Sequence, residues 1–272
     1  MSDGEEPDSP RLLQTVTRVF DIVDALQRLD GAGVTELATE LDMSKSSVYN
    51  YLRTMEEHRF AVRHGNSYHL SYRFHHIGEY VRGHTPIYIH GTDEIDRLAH
   101  ETGRYAHLST EQHGLGVDLY KSKGREAVGT QYQRSKFQHP DYLHFSATGK
   151  AMLAHLPDER VDWILDEYGL SERTAATITN REVLFEELEQ ICEQGYAVNR
   201  EEEIEGIRAI GAPILTPAGD VLGSVSISGP AHRMRTPEYE EQMITAITDT
   251  ANRIQVNINA ENTDGEFPAY DH

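Results

Sequence analysis

The stretch from Lys45 to Arg53 contains no carboxylate, and the side chains that would face outward from a helix here are two cations, three hydroxyls and one amide. Such side chains contact phosphate oxygens, and Asn and Arg also pair with base edges in the major groove of DNA. In a helix, Val48, Tyr51, Leu52 and Met55 would recur at the spacing of one apolar face. The polar groups then point outward together, which predicts a helix that reads DNA. These groups belong to Lys45, Ser46, Ser47, Tyr49, Asn50 and Arg53.

Two short helices and a hairpin are needed to hold this polar face. We expect the first helix to begin at Thr35, whose hydroxyl can cap an orphan N–H, and the second to begin at Ser44. Strands at 60–62 and 68–70 surround a turn in which Gly65-Asn66 suits a tight hairpin. The pattern is typical of a winged helix-turn-helix. A preceding helix is expected to pack behind it with one apolar face: Val16, Val19, Phe20, Val23 and Leu26.

The charge of the chain limits how it can bind a polyanion. Its 272 residues suffice for about two domains, and its formal net charge is −20. Residues 11–73 hold eight basic and eight acidic residues, so this segment is neutral and the excess negative charge lies outside it. A pervasive acidic surface is typical of a high-salt cytoplasm, where screening shortens charge repulsion. Because counterion release yields less free energy at high salt, we expect DNA binding to depend on base-edge contacts and on a dimer.

The remaining patterns mix strands with helices, which predicts an α+β sensor domain. Strand patterns occur at 105–108, 115–120, 207–215 and 221–227, and helix patterns at 93–101, 158–168, 182–193 and 238–259. The expected organisation is a disordered lead (1–10), the winged helix-turn-helix (11–72), a linker helix (73–86), the α+β domain (87–260) and a disordered tail (261–272).

A second possible binding feature begins at Ser146. This residue can cap a helix whose first turn holds only small residues around backbone N–H groups, which predicts a pocket for a small anion. Further on, one strand places three serines on the same face, either as binding contacts or as solvated edge residues: Ser224, Ser226 and Ser228.

Several classes of protein are disfavoured. We find no nucleophile elbow, no HExxH and no phosphate-binding glycine loop, so we expect neither an enzyme nor a cofactor. Adjacent helical histidines such as His75 and His76 point about 100° apart, and no metal site is expected. The only cysteine, Cys192, excludes a disulfide framework and is expected to be buried. No run of about 18 apolar residues and no signal peptide is found, so a cytoplasmic protein is expected.

From about Leu12 to Asn259 the chain resembles the IclR family of transcription regulators. Four segments carry the resemblance in the family's order and spacing: ELATELDMSKSSVYNYLRTMEEHRF with its wing, HFSATGKAMLAHL, EQGYAVNREEEIEGIRAIGAPI and GSVSISGP. Any one of them would be a weak match alone. Together, the four segments and the acidic composition resemble those of a haloarchaeal member of the family.

The resemblance implies a winged helix that binds operator DNA, a linker helix that dimerises, and a C-terminal GAF-like domain that binds a small effector. The chain departs from the family at Ala209, where a cysteine is frequent, and at Gly211, where alanine is usual. A thiol contact to the effector is therefore absent. The implied effector-binding residues are His144, Ser146, Thr148, Gly206, Ile207, Arg208, Ala209, Ala212, Ser226 and Ser228.

The resulting hypothesis is a DNA-binding regulator of a catabolic operon, with a sugar, a sugar acid or another organic acid as effector. Asn50 and Arg53 are expected to contact base edges, and Ser46, Ser47 and Asn66 to contact phosphates. A homodimer is expected, and a tetramer stays open. The alternative is a small-molecule sensor that acts through a protein partner without binding DNA.

Overall fold

The computed structural model describes residues 12–128 and 141–261. The chain divides into two compact units, and the division falls between Val81 and Arg82, inside the predicted linker helix. The predicted lead at 1–10 and the tail beyond residue 261 lie outside the described residues. Within the described ranges, no helix is both long enough and apolar enough to cross a lipid bilayer.

The N-terminal unit is a winged helix-turn-helix. Its elements are α1 (Gln14–Arg28), β1 (Ala32–Gly33), α2 (Val34–Glu40), α3 (Lys45–Glu57), β2 (Ala61–His64) and β3 (Ser67–Leu70). The strands form an antiparallel sheet in the order β1-β3-β2, with Gly65-Asn66 as the hairpin turn. Ser44 caps α3 as predicted, because its Oγ accepts a hydrogen bond from the Ser47 N–H at 3.1 Å. The predicted cap at Thr35 is wrong: α2 follows Gly33, which has no side chain to cap with.

The buried face of α1 differs from the predicted one. Of the predicted residues, Leu26 is buried and Val19 and Val23 pack half-buried against the core, whereas Val16 and Phe20 are exposed. Ile22 and Ala25, which were not predicted, are buried beside Leu26. The apolar residues of α1 cover too wide an arc for one small core, so part of them stays at the surface. Helix α4 (Arg73–Gly83) follows the wing and buries none of its residues.

The C-terminal unit is α+β, as expected. It contains α5 (Pro86–Thr102), β4 (Tyr105–Gln112), β5 (Leu115–Lys123), β6 (Asp141–Tyr142), α6 (Ala147–Leu153), α7 (Asp158–Tyr168), α8 (Arg181–Gln194), β7 (Ala197–Arg200), β8 (Ile207–Leu215), β9 (Val221–Pro230), α9 (Ala231–Met234) and α10 (Pro237–Glu261). One six-stranded sheet has the order β6-β5-β4-β9-β8-β7, and its paired strands are antiparallel.

The two faces of this sheet differ in chemistry. Side chains alternate across a strand, so residues in register share a face. One face carries apolar residues that join the core with α5 and α10, among them Leu108, Ile210, Val225 and Ile227. The other face carries the three serines of β9 and lies under α6, because the Ser224 hydroxyl donates to the Thr148 carbonyl at 3.1 Å. We call this second face, together with α6, the α6 face.

Three expectations need correction. Helix α5 begins at Pro86, two turns before the predicted start, since proline at the first helical position needs no hydrogen-bond partner for nitrogen. Strand β7 was not predicted within the acidic segment. Cys192 is exposed rather than buried, and its thiol donates to the Ala154 carbonyl at 2.6 Å.

Candidate functional site

The outward face of α3 is polar and open. Val48, Leu52 and Met55 are buried beneath it, as the spacing predicts, and Tyr51 packs half-buried against the same core. Ser47 is half-buried, because the helix cap holds it close to Ser44. The exposed side chains of this face are Lys45, Ser46, Tyr49, Asn50 and Arg53. Five hydrogen-bond donors on side chains of different lengths therefore project from one surface of the helix.

A groove of about 920 Å³ lies beside this helix, between α3, α2 and the wing. Thr35 and Tyr49 line it from the helices, and Asn66 lines it from the hairpin turn. Arg63 also lines the groove, and its Nε donates to the Gly65 carbonyl at 2.8 Å. Arg63 was not predicted as a site residue, although its place two residues before the hairpin glycine marks it as a wing residue.

Arg53 is held by its own helix. Its Nη1 lies 2.6 Å from the Glu56 Oε2, one turn further along the helix. This carboxylate raises the pKa of the Arg53 guanidinium, which therefore stays charged. Any other acceptor for Nη1 would therefore compete with the Glu56 carboxylate.

The start of α6 is built for close contact between backbones. The Ser146 Oγ accepts a hydrogen bond from the Gly149 N–H at 2.9 Å, which confirms the predicted cap. A Cβ on Gly149 would overlap the backbone of Leu143. A Cβ on Gly211 of β8 would lie 2.6 Å from the Ala147 carbonyl oxygen. Glycine at both positions thus lets α6 lie directly on the sheet.

Replacing Gly149 by alanine should lower the melting temperature, although alanine normally favours a helix interior by about 1 kcal/mol. The new methyl would meet Leu143 backbone, which cannot move aside as a side chain can. Gly78→Ala is the matched control, because Gly78 lies within α4 and has no heavy atom near its Cβ position. Thermal unfolding that shows Gly149→Ala as stable as Gly78→Ala would contradict this packing.

The structure brings part of the predicted effector set together on the α6 face. Ser146 and Thr148 lie at the start of α6, with their hydroxyl oxygens 3.4 Å apart. Ser226 and Ser228 lie on β9 and pair in register with Gly211 and Ala209 of β8. All four hydroxyls belong to buried residues, so the alternative of solvated edge serines is wrong.

Other members of the set lie elsewhere. Ala212 belongs to the apolar core on the opposite side of the sheet, and Arg208 also points to that side, toward the Met234 carbonyl and the Glu240 carboxylate. Neither side chain reaches the α6 face, because even-numbered residues of β8 face away from it. Gly206 is exposed and has a positive φ of 79°, and Ile207 is half-buried at the start of β8.

His144 is buried just before α6. Its Nε2 lies 3.1 Å from the Ser171 carbonyl oxygen. Burial lowers the pKa of its imidazole, and the hydrogen bond to Ser171 opposes this shift. The side chain therefore joins the segment before α6 to the loop after α7.

A buried charge network that was not predicted lies behind α6. Lys150 is fully buried, and its Nζ lies 2.9 Å from Glu202, 3.0 Å from Glu187 and 2.8 Å from the Val198 carbonyl oxygen. Asn199 donates to the Phe145 carbonyl at 3.0 Å and accepts from the Glu202 N–H at 2.9 Å. The signal was a lone lysine within the small and apolar residues of HFSATGKAML.

In the part of the chain that the structure describes, no group of three or more His, Cys, Asp or Glu side chains could hold a metal ion. His75 and His76 lie on α4 with ring centroids 5.7 Å apart, and the planes of the two rings are tilted by 49°. This placement follows from their adjacent positions in a helix.

Two protein-family models match the chain. The model described as the IclR helix-turn-helix domain matches residues 15–65. The model described as the C-terminal domain of the bacterial transcriptional regulator IclR matches residues 81–256. The two matches follow the N-terminal and C-terminal units of the structure.

Curated relatives match along nearly the whole chain. A probable helix-turn-helix regulator, ArcR of Halobacterium salinarum, is 36% identical over 250 residues, which are 92% of this chain and 95% of the relative. The regulator KdgR of Escherichia coli is 31% identical over 255 residues, covering 90% of this chain and 94% of KdgR. The similarity to ArcR agrees with the haloarchaeal character of the acidic composition.

Solved structures share the fold. The crystal structure of Thermotoga maritima IclR matches with a TM-score of 0.72 at 30% identity, over 90% of this chain and 98% of that one. An IclR homologue from Microbacterium hydrocarbonoxydans, crystallised with 4-hydroxybenzoate, matches with a TM-score of 0.77 at 18% identity, over 90% of this chain and 99% of the homologue. The second likeness concerns the fold alone.

Proposed function

The chain belongs to the IclR family of helix-turn-helix transcriptional regulators, and from this premise we propose that it binds a partly palindromic operator under the control of a small effector. The observation that carries the proposal is the outward face of α3, which offers donors from Lys45 to Arg53 without a carboxylate. A helix of this composition suits the major groove.

Each donor has a proposed contact. Asn50 and Arg53 lie on the exposed middle of α3 and would pair with base edges, for which an amide and a guanidinium are suited. Ser46, Ser47 and Asn66 would contact phosphates. The proposed surface is completed by residues at the helix starts and along the groove: Thr35, Ser44, Lys45 and Tyr49.

We propose a homodimer that joins two such helices to two half-sites. Exposed apolar side chains support it: Val16 and Phe20 on α1, and Ile77 on α4, are exposed in the single chain. Val16 and Phe20 are four residues apart on one helix, and neighbouring exposed apolar side chains are typical of an interface. A tetramer, built from two dimers, is compatible with the same surfaces.

Phe20→Glu should shift the protein from dimer to monomer, because a carboxylate on each subunit would be buried without a partner at the interface. Phe20 is 61% exposed in the single chain, so the substitution leaves the fold of the monomer intact. Val256→Glu on α10, at 64% exposure, is the matched control. Light scattering at native salt measures the mass, and an unchanged mass for Phe20→Glu would contradict the α1 interface.

The proposed effector site is the α6 face, lined by Ser146, Thr148, Ser226 and Ser228. We propose a small anionic metabolite from the catabolism of a sugar, a sugar acid or another organic acid. Effector binding would favour one arrangement of the two DNA-binding units over another. A change in operator affinity of tenfold to a hundredfold needs a difference in effector affinity between the two states of about 1.4–2.7 kcal/mol.

Genome-wide binding in the native organism at native salt tests the proposal. We expect peaks that share a short inverted repeat upstream of a catabolic operon, and the peaks should change when the corresponding carbon source is added. Because operator binding takes place on the chromosome, the proposed location is the cytoplasm. Absence of enriched sites with and without candidate carbon sources would instead support a sensor that acts through a protein partner.

A further inference from the structure

His107 occupies the middle of the α6 face. It lies on β4 and pairs in register with Ser226 of β9, which in turn pairs with Gly211 of β8. Its neighbours Ala106 and Leu108 belong to the apolar core on the other side of the sheet. His107 therefore points to the side that α6 covers, in one row with Ser226 and Gly211.

The imidazole of His107 is buried without a hydrogen bond. The residue is 2% exposed, and neither ring nitrogen has a partner among the described residues. The nearest carboxylate oxygen, Oδ2 of Asp118, lies 3.7 Å from Nδ1, which is beyond hydrogen-bond distance. His144 is equally buried, and it does have a hydrogen-bond partner in the Ser171 carbonyl.

An unpaired buried polar group destabilises a protein, and most such groups in native structures do have a partner. A site that keeps two unpaired nitrogens in this position is therefore expected to receive a partner from outside the chain. The Nε2 atom is the nitrogen that does not face Asp118, and His107 pairs in register with Ser226 on the adjacent strand. A bound molecule here would meet an imidazole and a hydroxyl together.

Charged side chains of both signs neighbour His107. Lys121 pairs in register with it, and Lys123 pairs with Tyr105 two residues before it. The carboxylate of Asp118 is engaged by the Ser109 hydroxyl, which donates to Oδ1 at 2.5 Å. The group that could donate to a bound carboxylate here is therefore the N–H of the His107 imidazole.

We propose that His107 recognises the effector by donating a hydrogen bond from Nε2 to its carboxylate group. The inference rests on the proposed effector-binding function of the α6 face. It adds that His107 selects effectors that carry a carboxylate group. The hydroxyls of Ser226 and Ser228 then remain for the other polar groups of the same molecule.

The thermal stability of the protein without ligand tests whether the ring nitrogens of His107 lack hydrogen-bond partners. His107→Leu should raise the melting temperature by about 2–4 °C, because it removes unpaired polar atoms from a buried site. His144→Leu is the matched control and should lower the melting temperature, because it leaves the Ser171 carbonyl without its partner. If His107→Leu lowers it as His144→Leu does, His107 is a structural residue and the inference is overturned.

Ligand binding tests the assigned class. The probes are pyruvate, D-gluconate and 4-hydroxybenzoate, each compared with its uncharged amide, and binding is measured by calorimetry. A carboxylate that binds the wild type should bind His107→Leu at least tenfold more weakly, and Ser122→Ala, on the opposite face of β5, should bind it as the wild type does. Unchanged affinity in His107→Leu, or equal binding of acid and amide, overturns the inference.

A third measurement covers the case in which His107→Leu does not fold. In the wild type labelled with ¹⁵N on its imidazoles, the His107 resonances, assigned by their absence from His107→Gln, should shift on addition of the binding carboxylate. Unshifted His107 resonances in a protein that binds the probe overturn the inference while the proposed function stands. A wild type that binds DNA but none of the carboxylates contradicts the proposed ligand class itself.

Discussion

Replacement of Lys150 by methionine is expected to lower the free energy of unfolding of the C-terminal unit by about 3–5 kcal/mol. The side chain is fully buried, and its ammonium group satisfies two carboxylates and one carbonyl. Methionine fills a similar volume but leaves the buried Glu202 carboxylate without a cation. Chemical denaturation, followed by circular dichroism, measures the loss.

Two further variants show whether the stability depends on the burial of the Lys150 ion pairs or on ion pairing alone. Arg181 also bridges two carboxylates, of Asp162 and Asp166, but the group is exposed to solvent, so Arg181→Met should lower the free energy of unfolding far less than Lys150→Met does. Adding Glu202→Gln to Lys150→Met should restore part of the stability, because it removes the unpaired charge. If Lys150→Met costs no more than Arg181→Met, the buried network does not hold α6 in place.

The network also places Lys150 between the proposed effector site and the acidic loop. Its helix begins at Ser146, and its partners Val198 and Glu202 belong to β7 and the segment that follows. Asn199 extends the connection to the backbone just before α6. A ligand that displaces the start of α6 would therefore displace the loop at residues 200–206 as well.

Local signals predicted the parts of the fold that depend on neighbouring residues. Ser44 and Ser146 cap their helices as predicted, since a cap and the N–H that it satisfies are three residues apart. Gly195 ends α8 with a positive φ of 79°, and β8 runs over the predicted 207–215. Alternation along β9 also placed the serines on one face, which is why part of the proposed effector site could be anticipated.

Features that depend on distant partners were missed. Strand β1 has two residues, too few to show any alternation, and only its pairing with β3 defines it. Lys150 meets Glu202 across 52 positions of sequence, a distance that no periodicity encodes. The direction of Arg208 follows from the register of β8, and a slip by one residue would reverse it. The sequence therefore predicted elements better than the contacts between them.

The other large expected effect concerns DNA. Arg53→Ala should weaken binding to the operator by about 1–3 kcal/mol, because a guanidinium paired with a base edge contributes that much discrimination. Binding to random DNA should change far less. The operator sequence comes from the genome-wide peaks, and fluorescence anisotropy at native salt gives both affinities. Equal weakening on operator and random DNA would show that Arg53 contacts only phosphate.

Glu56→Gln provides the complementary test, since the free protein holds Arg53 against Glu56 at 2.6 Å. Removing this carboxylate releases the guanidinium and also removes a negative charge near the phosphates. Operator affinity should therefore rise, and in the Arg53→Ala background the same substitution should raise it less. A gain that is the same in both backgrounds would mean that Glu56 acts only by repelling DNA. Arg53 would then reach its base without having to leave Glu56, and the ion pair would have no part in recognition.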